Sequence, residues 1–210
     1  MKKIIIISLF IVSAYCSAQN PILNIHTSMP DIANAYYKDI ENFQNQFVGT
    51  WVYSDAVKTI RFKFIKKEMF YYQGFSKNYY EDYLVGEMQY IENNVEKINS
   101  LSNLDVNHTS IFNYNLFGAI KVDSDWYPRC ITCPANVQRI AMNYKEPTTD
   151  DIGLSAAFVM PREDENGVQK IKIQYILTNG PLEVKVDFET PSTTTNFTIP
   201  YGDYTLVKEN

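Results

Sequence analysis

The stretch Phe47-Val48-Gly49-Thr50-Trp51 decides how the rest of the chain is interpreted. It sets an aromatic residue, a glycine and a tryptophan two positions apart, ahead of many short segments rich in β-branched and aromatic residues. Soon after it, residues 59–64 alternate polar and apolar side chains, which is typical of a half-buried antiparallel strand. The 16 tyrosines and 12 phenylalanines favour the same structure. The stretch therefore indicates the start of a mainly β domain.

A helix is predicted directly before this stretch. Ser28 is a suitable N-cap, Pro30 and Asp31 suit the first turn, and apolar residues recur at steps of three and four from Ile32 to Phe43. We expect this helix to cover one end or one face of the β structure.

The remainder of the chain predicts roughly nine or ten short antiparallel strands. Asn93-Asn94 is a two-residue turn, and Gly86 within a strand indicates a bulge or a close approach of two backbones. This number of strands is typical of a closed barrel or a two-sheet sandwich, and periodicity does not distinguish them. The predicted strands are residues 59–64, 69–73, 82–92, 95–98, 111–122, 137–144, 152–160, 168–177, 182–188 and 204–207.

The first 18 residues have the pattern of a secretory signal peptide. Lys2 and Lys3 precede a short apolar run, and Cys16-Ser17-Ala18 supplies small residues for a cut before Gln19. An alternative is a lipoprotein signal, with Cys16 as the lipid-bearing residue. The sequence predicts a signal peptide at 1–18 and a single domain at 19–210, located outside the cytoplasm as a secreted or periplasmic protein.

Charge and hydropathy exclude two classes of partner. Loss of Lys2 and Lys3 takes the net charge from −5 to −7, and no cluster of basic residues offers a surface for nucleic acid. After the signal segment no apolar run is long enough to span a bilayer, so the mature chain is predicted to have no transmembrane segment.

Two resemblances refine this picture. The Phe-x-Gly-x-Trp pattern resembles the opening of lipocalin-like (calycin) barrels, and residues 80–91 together with Ile199-Pro200 and Leu206-Val207-Lys208 are similar to an uncharacterised secreted family of flavobacteria and relatives. The second similarity covers nearly the whole mature chain, but no activity comes with it. The first implies an antiparallel barrel whose opening tryptophan sits at the closed end, with Lys208 of the last strand packed across the Trp51 ring.

Cys130-Ile131-Thr132-Cys133 has the spacing of a redox dithiol, but it lies in a predicted loop among β segments. In an oxidising compartment a local disulfide is the expected state, with free thiols, metal binding or catalytic redox chemistry as alternatives. A zinc site needs further ligands, and the mature chain has no other cysteine. No metal is predicted.

Catalytic signatures are missing from the sequence. His26 and His108 are the two histidines, which excludes a multi-histidine metal centre, and no nucleophile motif is present. We predict no catalytic residue and no cofactor. Glu87 is the carboxylate of most interest, because it neighbours Gly86 in an apolar and aromatic strand and must be paired or functional if it faces inward.

The function that follows is an exported, non-enzymatic binding protein for a small apolar or amphipathic ligand or a cell-envelope partner. Tyrosines combine an apolar ring with a polar tip, which suits such ligands. The predicted ligand-binding residues are Trp51, Tyr72, Glu87 and Tyr90. The alternatives are an adhesion or structural module with a filled core, and a thiol redox protein using the Cys-x-x-Cys. An internal cavity would favour ligand binding and a packed interior the module.

Overall fold

The computed structural model describes residues 20–25, 32–74, 77–134, 136–147, 154–179 and 196–209. The predicted signal segment, Cys16, the first four residues of the predicted helix (28–31) and the predicted strand at 182–188 lie outside these ranges. His26 also lies outside them.

Eleven strands and three short 3-10 helices occur within the described ranges. The 3-10 helices are Phe43–Phe47, Leu101–Asp105 and Ile111–Asn113. The strands are β1 (Ile22–Asn24), β2 (Tyr36–Lys38), β3 (Gly49–Ser54), β4 (Lys58–Gln73), β5 (Asn78–Glu92), β6 (Val95–Asn99), β7 (Leu116–Val122), β8 (Arg139–Tyr144), β9 (Ser155–Pro161), β10 (Lys170–Asn179) and β11 (Gly202–Lys208).

Eight of these strands form a closed antiparallel barrel in the order β5-β4-β3-β11-β10-β9-β8-β7. Pairing of β5 with β7, in which Gly86 faces Leu116, closes it. The prediction of a mainly β antiparallel barrel is therefore confirmed, and the sandwich is not the architecture. Strand β5 is long enough to have three partners along one edge, because β2 and β6 pair with it on either side of β7.

The β4–β5 hairpin extends beyond the barrel. A bulge interrupts its ladder after Lys67, where Met69 has φ +51°, and the Asp82 carboxylate accepts the freed Met69 N–H at 2.9 Å. At Gly86, a Cβ atom would lie 2.4 Å from the Phe64 ring, so glycine is required for close packing. The predicted strands at 59–64 and 69–73 are thus one bulged strand.

The predicted helix at Ile32–Phe43 is wrong in its described part, and no helix of seven or more residues occurs in the described ranges. Residues 36–38 instead form β2, which pairs in parallel with both β1 and β5. This pairing buries Tyr37 and leaves Ile32 and Ile40 about half exposed, so strand pairing overrides the helical spacing. The predicted strand at 111–122 is also shorter, because its first residues form a 3-10 turn. No described helix combines the length and apolarity needed to cross a membrane.

The barrel has two ends that are used as reference points below. We call the end where β3 begins and β11 finishes the Trp51 end, and the opposite end, where β8 finishes and β11 begins, the Tyr144 end. Between them the interior is filled by buried side chains in mutual contact, with Phe158 stacked on Tyr175 at 4.5 Å and edge-on to Phe62 at 5.3 Å. This packed interior is the main core.

A second core lies on the outside of the barrel. Alternate residues of β5 that point outward, such as Val85, are buried beneath the segment that carries the last two 3-10 helices. Leu104, Ile111 and Tyr114 of that segment pack with Val85 and with Tyr37 of β2. The outer segment therefore gives β5 two buried faces, which explains its nearly continuous apolar and aromatic sequence.

Candidate functional site

The Phe47–Trp51 stretch closes one end of the barrel. Phe47 is fully buried in the interior, and its carbonyl oxygen accepts a 2.7 Å hydrogen bond from the Trp51 indole N–H. Gly49 has φ +125°, a conformation that favours glycine, and a Cβ there would lie 2.8 Å from Cε of Lys208. Phe47, Gly49 and Trp51 therefore each have a physical role in folding this end.

Two cations lie against the buried Trp51 ring. The β3–β11 register sets Lys208 opposite Trp51, and its Nζ lies 5.5 Å from the ring centroid, as the lipocalin-like resemblance led us to expect. Arg162, which sequence analysis missed, has its Cζ 5.0 Å from the same centroid. Arg162 also donates to the Gln46 carbonyl and pairs with Asp164. These contacts tie β9, β11 and the first 3-10 helix to one indole ring.

An open cleft of about 690 Å³ adjoins this end and is lined by Asn45, Val48, Ile65, Lys66, Glu68 and Lys208. One of its two cations is Lys66, whose Nζ lies 3.2 Å from the Asp39 carboxylate and 3.7 Å from that of Asp82. Because two buried carboxylates neutralise Lys66 from within, this lysine offers little charge for an anionic ligand, and Lys208 is the other cation in the lining.

Glu87 is fully buried, but it faces the outer segment and not the barrel interior. Its carboxylate accepts hydrogen bonds from Asn103 Nδ2 at 2.6 Å, Asn115 Nδ2 at 2.5 Å and the Asn115 backbone at 3.0 Å. His108 Nε2 lies 2.8 Å from Asn103 Oδ1 in the same network. Glu87 is therefore paired, and it anchors the outer segment to β5.

The four predicted ligand-binding residues do not form one site. Trp51 and Tyr90 share the barrel interior, whereas Tyr72 is half buried on the outside and stacks on Tyr79 at 4.7 Å. Tyr72 pairs with Tyr79, which lies eleven residues before Tyr90 on β5. Tyr72 and Tyr90 are therefore about 35 Å apart along the strand. The Tyr90 hydroxyl donates to Glu92 at 3.0 Å.

A group of tyrosines that sequence analysis did not single out lines the Tyr144 end. Tyr144 and Tyr175 are both buried, with ring centroids 5.8 Å apart. Among the residues that the structure describes, neither hydroxyl has a partner at full hydrogen-bonding geometry, although the Glu146 carboxylate is close enough to Tyr144 to interact with it. Phe197 lies 5.4 Å from the Tyr144 ring and Tyr201 5.0 Å from the Tyr175 ring. Two buried donors thus lie beneath an aromatic cover.

Glu146 adds a carboxylate to this end. It is 2% exposed and accepts a 2.8 Å hydrogen bond from the Thr198 backbone, which fastens the covering segment to β8. Burial first, and then the charge of Glu146, raises the pKa of Tyr144 well above its usual range. The pKa of Tyr175 is raised in the same direction, mainly by burial. Both hydroxyls therefore stay protonated and can donate hydrogen bonds at any physiological pH.

The sequence contains a signal for this pair. In Ile140-Ala141-Met142-Asn143-Tyr144 and in Ile171-Lys172-Ile173-Gln174-Tyr175, the tyrosine continues the apolar side of an alternating strand. Alternation therefore predicts that both tyrosines face inward. It does not show that their hydroxyls lack partners, because partners depend on tertiary structure.

The loop between β7 and β8 contains the predicted disulfide, which is confirmed: Cys130 and Cys133 are bonded, with Cα atoms 5.3 Å apart. Buried Arg139 organises the loop by donating to the carbonyl oxygens of Asp123, Trp126 and Pro128. The strand-to-helix setting of redox dithiols does not occur here, since β strands flank the loop on both sides.

Comparison with known proteins gives one result. No curated protein and no solved structure matches the chain. A family profile, described as "Family of unknown function (DUF6705)", matches residues 1–209. The barrel, the two-cation tryptophan and the tyrosine-lined end therefore describe a member of that family, DUF6705, to which this chain belongs.

Proposed function

We propose that the protein is an exported, non-enzymatic binding protein that holds a small, uncharged amphipathic ligand at the Tyr144 end of the barrel. The observation that carries the proposal is the buried Tyr175 hydroxyl, which has no partner among the described residues. Beside it lies the Tyr144 hydroxyl, which meets no acceptor at full hydrogen-bonding geometry, although the Glu146 carboxylate is close enough to interact with it. A buried polar group without a hydrogen bond costs about 1–3 kcal/mol. A ligand that accepts these two bonds removes that cost.

The surroundings indicate the chemistry of the ligand. The rings of Phe197 and Tyr201 offer an apolar surface beside the two hydroxyls. Glu146 sets a negative charge next to them, so an anionic head group is disfavoured and a neutral oxygen acceptor is favoured. Because the interior, including Tyr144, Tyr175 and Phe197, is packed, the proposed ligand lies at the mouth of the barrel at this end and does not enter the core. The disulfide supports export, since such bonds persist in oxidising compartments.

Native mass spectrometry of the protein purified from its own cells tests the proposal directly. We expect a co-purified neutral ligand and a mature chain that starts at Gln19. The matched variant is Tyr144→Phe with Tyr175→Phe, which keeps both rings and removes only the hydroxyls. We expect this double variant to retain at least tenfold less ligand, as the loss of two hydrogen bonds of about 1 kcal/mol each implies.

A defined probe separates specific binding from hydrophobic adsorption. Calorimetric titration with monolauroylglycerol, which is neutral, is compared with laurate, which has the same chain length and a negative charge. Tyr204→Phe is the control variant, because that hydroxyl already donates to the Pro200 carbonyl at 2.6 Å. Equal binding of both probes, or unchanged binding by the double variant, would refute this proposal.

A second candidate function is an adhesion or structural module, and two observations favour it. The barrel interior is packed with aromatic side chains, and large aromatic residues are exposed on the outside near the projecting hairpin. Tyr71 is 46% exposed and Phe112 is 51% exposed. If no ligand co-purifies, cross-linking in cells should then recover an envelope partner that is lost in Tyr71→Ala with Phe112→Ala.

A further inference from the structure

Three potential metal ligands meet at the Trp51 end, outside the site proposed above. The sulfur atoms of Cys130 and Cys133 and a carboxylate oxygen of Glu163 all lie within 4.8 Å of one another. The Cys133 Sγ to Glu163 Oε1 distance is 3.8 Å. The cysteines come from the β7–β8 loop and Glu163 from the β9–β10 loop, so the fold and not local sequence brings them together.

Backbone hydrogen bonds hold both sides of this cluster. The Cys130 N–H donates to the Ser124 carbonyl at 3.0 Å, and the Glu163 N–H donates to the Lys170 carbonyl at 2.9 Å. Ile131, between the cysteines, is 89% exposed, so no packed side chain opposes a small change in this turn. The backbone is therefore held on both sides of the cluster, while the distance between the two sulfurs can increase once the S–S bond is broken.

We propose that reduction of the Cys130–Cys133 disulfide creates a site in which two thiolates and the Glu163 carboxylate bind one zinc ion. A phosphine or thiol reductant supplies two electrons, the S–S bond breaks, and each sulfur takes up a proton. Zinc then displaces the two protons as the sulfurs coordinate it. In the disulfide state neither sulfur is a thiolate, so the oxidised protein does not bind zinc at this site.

The distances fit zinc. With Zn–S near 2.3 Å and Zn–O near 2.0 Å, tetrahedral geometry sets sulfur and oxygen ligands about 3.5 Å apart and two sulfurs about 3.8 Å apart. The Cys133–Glu163 separation of 3.8 Å is already close to the first value. Lys172, whose Nζ donates to Thr132 Oγ1 at 3.0 Å, brings a positive charge that partly offsets the charge of the three anionic ligands.

This site was not predicted from the sequence. Counting cysteines indicates too few ligands, and Glu163 is 30 residues from Cys133 along the chain. The proposal is also independent of ligand binding at the Tyr144 end, because the two sites are at opposite ends of the barrel.

Competition with a chromophoric zinc chelator, under anaerobic conditions and with a phosphine as reductant, tests the inference. We expect one equivalent of zinc on the reduced wild-type protein and none on the oxidised protein. Glu163→Gln should weaken binding at least tenfold. Glu165→Gln, which removes a nearby exposed carboxylate paired with Lys170, should leave it unchanged.

Cobalt substitution gives a second measurement that does not depend on affinity. The reduced wild-type protein should show thiolate-to-cobalt charge-transfer absorption, and Cys130→Ser with Cys133→Ser should abolish it. Circular dichroism checks that each variant folds. Failure of the reduced wild-type protein to bind zinc, or equal zinc affinity of wild type and Glu163→Gln, would overturn the three-ligand site.

Discussion

The two ends of the barrel differ in whether their buried polar groups have partners. At the Trp51 end, charged side chains are joined in networks: Lys66 contacts Asp39 and Asp82, while Arg162 contacts Asp164 and the Gln46 carbonyl. At the Tyr144 end, two buried hydroxyls lack partners at full hydrogen-bonding geometry in the part of the chain that the structure describes.

If the proposed function is right, this difference separates the end that stabilises the fold from the end that binds a ligand. A closed network stabilises the fold and leaves no hydrogen-bonding capacity for a ligand, whereas unpaired buried donors cost free energy and suit a ligand. One polar atom at the Trp51 end is an exception: Gln44 Oε1 is a buried acceptor without a partner among the described residues. The amide nitrogen of the same side chain does donate, to the Asp82 carbonyl at 2.9 Å.

Trp51→Ala should give the largest effect. It removes a fully buried ring, its hydrogen bond to Phe47 and the contacts with Arg162 and Lys208. We expect the free energy of unfolding to fall by about 3–5 kcal/mol in urea denaturation. Tyr127→Ala, at an aromatic residue that is 70% exposed, is the control and should change it by less than about 0.5 kcal/mol. If Trp51→Ala lowers the free energy of unfolding no more than Tyr127→Ala does, the structural role given to the Trp51 end is wrong.

Glu81, a buried carboxyl on the projecting hairpin beyond the Trp51 end, gives a prediction about pH. Burial is the main cause that raises the pKa of its carboxyl from 4.5 to about 7, and the charge of Asp82 adds to it. The folded protein thus binds this proton more tightly than the unfolded chain. The stability linked to Glu81 is fully present below pH 4.5 and is lost as the pH rises through 7, by about 3 kcal/mol in total.

Urea denaturation of wild type and Glu81→Gln at pH 4.5, 6 and 8 measures this effect. The variant lacks the titrating group, so the stability difference between the two proteins should shift in favour of Glu81→Gln as the pH rises. Parallel profiles across this range would show that the Glu81 carboxyl titrates as it does in the unfolded chain.

Much of the fold follows from local pattern, and the departures have physical causes. Alternation located the first part of β4 and β10, since one buried face imposes a period of two, whereas a nearly continuous apolar and aromatic run located β5. The helical spacing of apolar residues gave the wrong structure at Tyr36–Lys38, where pairing with two other strands decided the structure. The sequence singled out Glu87 but not its partners, because Asn103 and Asn115 reach it only through the folded outer segment. Glu163 and the unpaired tyrosines are tertiary features for the same reason.

Gly49→Ala should have an intermediate effect, and Gly202→Ala at the opposite end is its matched comparison. Both glycines have positive φ, of +125° and +145°, so an alanine at either site is strained by about 1–3 kcal/mol. A Cβ at Gly202 meets nothing within 4 Å, but one at Gly49 meets Lys208. We therefore expect Gly49→Ala to cost more, by the loss of the Lys208 contact with Trp51.

A double-mutant cycle isolates that contact. The extra cost of Gly49→Ala should disappear in the background of Lys208→Ala, because the side chain that it displaces is already gone. Thermal or urea unfolding of the four proteins gives the coupling energy. An extra cost that persists without Lys208 would place the strain in the backbone alone.

The smallest effect, that of Tyr175→Phe on stability, is the most informative about the Tyr144 end, because loss of the hydroxyl is expected to stabilise the protein. Tyr175→Phe removes a hydroxyl that is unpaired among the described residues, so the ligand-free protein should become more stable by about 1 kcal/mol. Tyr204→Phe removes a hydroxyl that donates to the Pro200 carbonyl, and it should lose about the same amount. Urea denaturation of ligand-free samples measures the change in stability of both variants. If Tyr175→Phe is instead destabilising, an ordered water already satisfies the hydroxyl, and a ligand must then displace that water and reproduce its hydrogen bonds to gain affinity. Opposite signs for the two variants therefore mark the Tyr144 end as the place where the fold gives up stability for binding.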